Sequence, residues 1–247
     1  MTTRPHFPLP VRNPDFADNQ IFYIKSNSSD DIDYYFKKNT SADSITIANQ
    51  YFSIEDIFLE SFKYVTPILA NRNTSSVRYA TIIRESCNLY EILCKKAYLQ
   101  FFRIDLNQSL NIYNYLTLEL YFKINDSELR SSTFHNYLTD DKRIAPFDSL
   151  IGVDWTSGLS QSHIPKWWTA YNKIKHDSEN FTEYATLDNA VFSIAAVFLI
   201  IRKIYGDGLI SGFLKKGSTE ENINAHLYPI RNSNVFIGEI FKSGKSK

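Results

Sequence analysis

The chain is poor in sulfur: one methionine, at its start, and two cysteines among 247 residues. Cys87 and Cys94 fall within a segment read below as a helix, where two turns separate them by about 10 Å of rise. That exceeds the reach of a disulfide, so both read as small, reduced core residues, which fits a cytoplasmic compartment. Glycine and proline are scarce too, with eight of each, which excludes collagen-like repeats and long flexible linkers. Neither sign of charge is in excess, since Lys plus Arg and Asp plus Glu both number 27. No protein-wide positive field is therefore available to hold nucleic acid or an anionic membrane, and any polyanion must be met locally. Long apolar runs are also missing. The longest, Ala190 to Ile201, is broken by Ser193 and falls short of the roughly 20 residues that span a bilayer. Pro5, Pro8 and Pro10 stand where a signal peptide would carry an apolar stretch, so no such leader is read and no membrane association is expected.

Several chemistries lack their marks. His6, His135, His163, His176 and His226 show no metal-ligand spacing, and neither cysteine has a CxxC partner; no structural zinc and no other cofactor is expected. There is no phosphate-cradling loop of the Walker or dinucleotide type and no serine nucleophile elbow. Gly206-Asp-Gly208 reads as a helix stop.

What the chain does have is rings and aliphatics: 16 Tyr, 18 Phe and a hydrophobic fraction of 43%, ample for a packed core at this length. Residues 1–50 form an irregular N-terminal extension in which Gln20–Lys25 and Ser44–Ala48 resemble short strands. Ser53 followed by Asp56 resembles a capping box, and apolar residues then recur at helical spacing to the stop at Pro67, predicting a helix over 53–66. Asn73 to Ser76 supplies caps for a longer helix over Arg78 to Phe101. Its buried face runs through Tyr79, Ile83, Cys87, Tyr90, Cys94, Ala97 and Phe101, and its polar face carries Arg84, Asn88, Glu91 and Lys95. Helical spacing recurs over Leu110–Lys123 and, less regularly, over Ser127–Leu138, while Ile144–Trp155 reads as a packed loop. Thr186 caps a very apolar helix, Leu187 to Tyr205, with Asp188 in its first turn and Arg202 and Lys203 in its last; it belongs at the centre of a bundle. Residues 207–247 form a C-terminal extension with one strand-like stretch, Asn234–Phe241, and a frayed basic end. The fold class is all-α, a helical bundle over residues 51–206.

The most informative stretch is Trp167-Trp-Thr-Ala-Tyr-Asn-Lys-Ile-Lys-His176, opened by Pro165. On a helix, Trp167, Ala170, Tyr171 and Ile174 form an apolar face, and Trp168, Asn172, Lys175 and His176 a neighbouring polar and aromatic stripe. A cation, an amide and an imidazole thus share one edge. The plain alternative is that Lys175 and His176 close the helix because cations are favoured there by about 0.3–1 kcal/mol, that Trp167 and Tyr171 are core anchors, that Asn172 bonds backbone or solvent, and that Arg84 pairs with Glu85 or Glu91.

This motif, followed by the buried helix, resembles the motif helix of the HEPN superfamily of small helical-bundle proteins. The likeness is greatest to a divergent branch with a Trp-Trp-x-x-Tyr-Asn-x-x-Lys-His signature. The helix containing Ile83-Arg84-Glu85 and the segment Ile144-Ala-Pro-Phe147 fall in the order found in that branch, and the resemblance covers residues 53–205. It implies a four- or five-helix up-and-down bundle, usually a homodimer, with the motif helices of two subunits facing a shared cleft. Active members cleave RNA without metal, using an arginine, a polar residue that is often asparagine, and a histidine four to six residues past the arginine. Asn172 matches the polar position and His176 the histidine, whereas Tyr171 stands at the arginine position. The arginine is the natural stabiliser of transition-state charge, and a phenol is a weaker, uncharged substitute.

Metal-free cleavage uses the neighbouring 2′-hydroxyl as nucleophile and needs a group titrating near neutrality beside a fixed cation, chemistries that His176 and Lys175 offer. Asn172 and Tyr171 would orient imidazole or phosphate, Trp168 would stack a base, and Lys173 would add a substrate-binding cation. Arg84 is the cation best placed to replace the missing one from another helix. The resemblance implies an effector of the toxin or phage-defence kind, acting on RNA and held by a protein such as an antitoxin. The alternative is a non-catalytic helical module that binds a protein or nucleotide.

Overall fold

The structure is a computed structural model that describes residues 21–25, 32–36, 41–101, 109–118, 122, 127–130, 143–177, 181–205 and 238–241. Among the described residues, five α-helices are fully bounded: α1 (Ser41–Ser61), α2 (Val77–Phe101), the short α3 (Ile112–Leu116), α4 (Lys166–His176) and α5 (Leu187–Tyr205). Around them lie β1 (Ile21–Lys25), paired antiparallel with β2 (Ile32–Phe36), and a sheet in which β3 (Ser127–Arg130) lies between β4 (Arg143–Ile144) and β5 (Gly238–Phe241).

α5 is the axis of the bundle. Its residues are buried from Leu187 to Tyr205 apart from Asp188, Asn189 and Phe192, and α1, α2 and α4 all pack against it. The Asn189 N–H donates to Thr186 Oγ1 at 3.3 Å, the expected cap. Asp188 in the first turn takes a two-pronged bond from Arg72, 2.9 and 3.0 Å, the geometry that suits guanidinium and carboxylate best. α2 is capped likewise, with the Arg78 N–H donating to Ser76 Oγ at 3.2 Å.

The segments leading into α2 and α5 are joined to each other: Ser76 N–H donates to the Ala185 carbonyl and Leu187 N–H to the Thr74 carbonyl, both at 3.0 Å. These two helices therefore start together and run the same way. α1 runs against α2, since Glu60 near its end meets Arg78 at 3.0 Å. α4 also runs against α2, because Trp167 and Trp168 meet Tyr90 while Ile174 meets Arg84. The four long helices thus alternate up, down, up and down in chain order, an all-α up-and-down bundle.

Some boundaries differ from those read in the sequence. Ser44–Ala48 is not a strand but part of α1, so residues 41–50 belong to the bundle. Ile47, Ala48, Tyr51, Phe52, Ile54 and Phe58 are buried, a spacing of three and four that prevails over the local Ile-Thr-Ile alternation. Ser53 is accordingly no cap; its hydroxyl donates to the Asn49 carbonyl at 2.9 Å from the middle of the helix. Of the helix expected over Leu110–Lys123, the described part holds α3, closed at its start by a reciprocal box between Asn111 and Asn114, then a turn at Thr117 and Leu118 and helical Phe122, whose N–H donates to the Leu118 carbonyl at 2.9 Å; residues 119–121 and 123 lie outside the described residues. Ser127–Arg130 is strand β3, not the start of a helix. α2, α4 and α5 stand where the sequence placed them, and the described part of the strand expected over Asn234–Phe241 is β5. Gly206–Gly208, most of the two extensions and His6, His135 and His226 lie outside the described residues. No helix among the described residues is long and apolar enough to cross a membrane.

Candidate functional site

α4 is wedged between α2 and α5, and Trp167, Trp168, Ala170, Tyr171 and Ile174 are all buried. Trp167, 1% exposed, donates its indole N–H to the Pro146 carbonyl at 2.7 Å. Its ring meets Tyr90 edge-on at 5.1 Å and Phe147 at 5.8 Å. This is why Ile144–Phe147 precedes the tryptophans: the loop supplies the carbonyl and a ring that lock the indole.

Trp168 is a correction. It does not lie on the open stripe but is 5% exposed, edge-on to Tyr90 at 5.8 Å and tilted against Tyr171 at 5.1 Å. An indole held by these rings cannot stack a base without leaving the core, so Trp168 serves packing.

The open face of α4 keeps Lys166, Thr169, Asn172, Lys173, Lys175 and His176 exposed. No carboxylate interrupts it between Lys166 and His176. Asp177 ends the helix in an extended conformation, its N–H donating to the Lys173 carbonyl at 2.8 Å.

Tyr171 is 4% exposed, and its hydroxyl donates to Asn88 Oδ1 at 3.0 Å. Burial pushes its phenol upward from the ordinary range, while the neighbouring Lys175 ammonium, by charge and as a hydrogen-bond donor, pulls the other way. Lys175 Nζ stands 5.5 Å from the centre of the same ring. Arg84, on the turn of α2 before Asn88, donates through Nη2 to the Ile174 carbonyl at 3.3 Å, in the last turn of α4. Lys173 lies 5.9 Å from the ring centre of Tyr184.

Arg84, Lys173 and Lys175 share a feature: among the described residues none pairs with a carboxylate. Each is directed by a neutral partner instead, a helix-end carbonyl or the face of a ring. Such contacts orient a cation without cancelling its charge. The expected pairing of Arg84 with Glu85 or Glu91 is not made, nor that of Glu91 with Lys95.

No family model, no curated protein and no solved structure matches this chain.

The structure thus gathers Arg84, Tyr171 and Lys175 along one seam, leaves Asn172, Lys173 and His176 exposed on α4, and removes Trp168 to the interior. It adds Asn88, which the sequence placed only on a polar helix face. The spacing of Arg84, Asn88 and Glu91 marked that stripe, but nothing local said that α4 would lie along it. α4 and the facing side of α2 thus carry an imidazole, three cations and two side-chain amides, a donor set suited to anions. Among the described residues no three His, Cys, Asp or Glu side chains gather to hold a metal.

Proposed function

We propose that the α2–α4 face binds RNA through its phosphates and that the protein is a HEPN-like effector of the toxin or phage-defence kind, cytoplasmic and homodimeric, cutting RNA without metal. The observation that carries this reading is the set of oriented, charge-retaining cations, Arg84, Lys173 and Lys175, beside exposed His176 in a chain with no net charge. A neutral protein has no general attraction for polyanions, so a local cluster of uncancelled cations supports a specific anionic ligand. In the reaction, the 2′-oxygen bonds to phosphorus as the P–O5′ bond breaks. The 2′ proton passes to a base and the 5′-oxygen receives a proton from an acid, leaving a 2′,3′-cyclic phosphate and a 5′-hydroxyl. His176 has the chemistry for either transfer, and a second subunit would supply the other. Lys175 and Arg84 stand in for the motif arginine at the phosphate, with Asn172 as the orienting amide.

The test is a single-turnover assay of purified protein with single-stranded RNA across about pH 6 to 8. Cleavage to cyclic phosphate by the wild type, lost by at least 100-fold in His176→Ala with folding unchanged, supports the enzyme. A wild type that binds RNA without cutting it points to the second reading, a non-catalytic module. That reading is favoured by Tyr171, whose hydroxyl at the arginine position is buried against Asn88 rather than open to solvent.

A further inference from the structure

We infer that Arg84, Asn88 and Lys175 form a three-point donor cradle for one phosphate group across the α2–α4 seam, and that Tyr171 is the positioning residue that holds it in shape. The inference rests on the RNA reading for its natural ligand, but the cradle itself stands on geometry. Lys175 is held at the face of the Tyr171 ring, its Nζ 5.5 Å from the ring centre, so the phenol proton is free to go elsewhere. It goes to Asn88 Oδ1, 3.0 Å away. This fixes which end of the amide is which: with Oδ1 engaged by the phenol, the Nδ2 group of the exposed Asn88 is left as the outward donor.

Arg84 lies one helical turn away on the same side of α2, and its bond to the Ile174 carbonyl uses only one of five N–H donors. Lys175 lies across the seam against the Tyr171 ring. A guanidinium, an amide N–H and an ammonium therefore border one stretch of the α2–α4 seam, and among the described residues no carboxylate neutralises either cation. A phosphate oxyanion has the charge and acceptor number to satisfy all three. The phenol at the motif's arginine position is then no direct substitute for the arginine. It is the link through which one buried side chain orients both groups, Lys175 at its ring and Asn88 at its hydroxyl.

The experiment uses the full chain and two probes, inorganic phosphate followed by side-chain amide NMR and a fluorescent single-stranded RNA followed by anisotropy. Phosphate is expected to shift the Asn88 side-chain NH2 resonance, and Lys175→Ala and Arg84→Ala to weaken that response at least fivefold. Tyr171→Phe keeps the ring, its burial and the cation–π contact but removes the hydroxyl's bond to Asn88. It is expected to weaken phosphate binding as much as Asn88→Ala does, with the double variant no worse than either single one. An unshifted Asn88 amide overturns the cradle, as does a Tyr171→Phe protein that binds phosphate like the wild type. RNA cleavage that survives Asn88→Ala and Tyr171→Phe undiminished overturns the cradle and leaves the RNA reading standing. Phosphate binding with the expected variant pattern, in a protein that neither binds nor cuts RNA, upholds the cradle and overturns the RNA reading.

Discussion

At the residue scale, the two tryptophans divide the work of α4. Trp167 Nε1 donates to the Pro146 carbonyl, and Pro146 is buried, so removing the donor strands an acceptor away from water. Trp167→Phe is expected to cost about 2 kcal/mol or more, mostly from that unpaired carbonyl, read as a lowered urea midpoint with an unchanged slope. His176, exposed at the helix end, behaves oppositely: His176→Ala should move stability by no more than about 0.5 kcal/mol, so that any lost activity is chemical. The thiols give a pH signature. Burial raises Cys87 and Cys94 well above their ordinary range. A raised acid favours the folded state fully below the unfolded-state pKa and loses that contribution as pH climbs toward the folded value. Stability should hold steady from about pH 6.5 to 8 and fall above about pH 9, by up to about 1.4 kcal/mol per pH unit for each thiol. The buried tyrosines Tyr79, Tyr98 and Tyr171, also raised by burial, add to the fall at higher pH. Replacing both cysteines with alanine should flatten the first part of that decline in urea titrations; an unchanged profile would assign it elsewhere.

At the scale of elements, caps and periodicity decided what could be read. α5 is legible from end to end because Thr186, Asp188 and the closing Arg202 and Lys203 bracket an uninterrupted apolar run, and α2 because Ser76 caps seven apolar positions in register. α1 misleads because Ser53 sits before an apolar run as a cap would, yet its hydroxyl bonds backward to Asn49. The two serine or threonine hydroxyls therefore make opposite predictions. Thr186→Ala should cost about 1 kcal/mol through the lost cap, whereas Ser53→Ala, at an exposed position inside a helix, should be neutral or stabilising by a few tenths of a kcal/mol. A destabilised Ser53→Ala in thermal or urea unfolding would restore the start of the helix to that residue. The burial of Trp168 departs from the sequence pattern for a different reason. A helix with one packed neighbour shows half its surface, but α4 has both α2 and α5, and this second neighbour is a fact of topology that no local window contains. The same fact hid Asn88, whose partner Tyr171 lies across the seam on another helix.

At the scale of the whole molecule, equal numbers of acidic and basic residues make electrostatics local. Single-stranded RNA held by a diffuse positive field would show a steep loss of affinity with salt, about 0.7 in the logarithmic slope per phosphate neutralised. The face proposed to bind RNA offers Arg84, Lys173 and Lys175. One subunit acting alone should therefore give a slope near −2, and two motif helices facing a shared strand about twice that. Measuring RNA affinity by anisotropy between about 50 and 300 mM salt, at protein concentrations below and above self-association, separates the two cases. Lys175→Ala should lower the slope by about 0.7 per subunit engaged, and Lys63→Ala, at a lysine already beside Glu60 on α1's far end, should leave it unchanged. A slope insensitive to Lys175 would place the bound phosphates on some other surface and sever the link between the α4 motif and RNA.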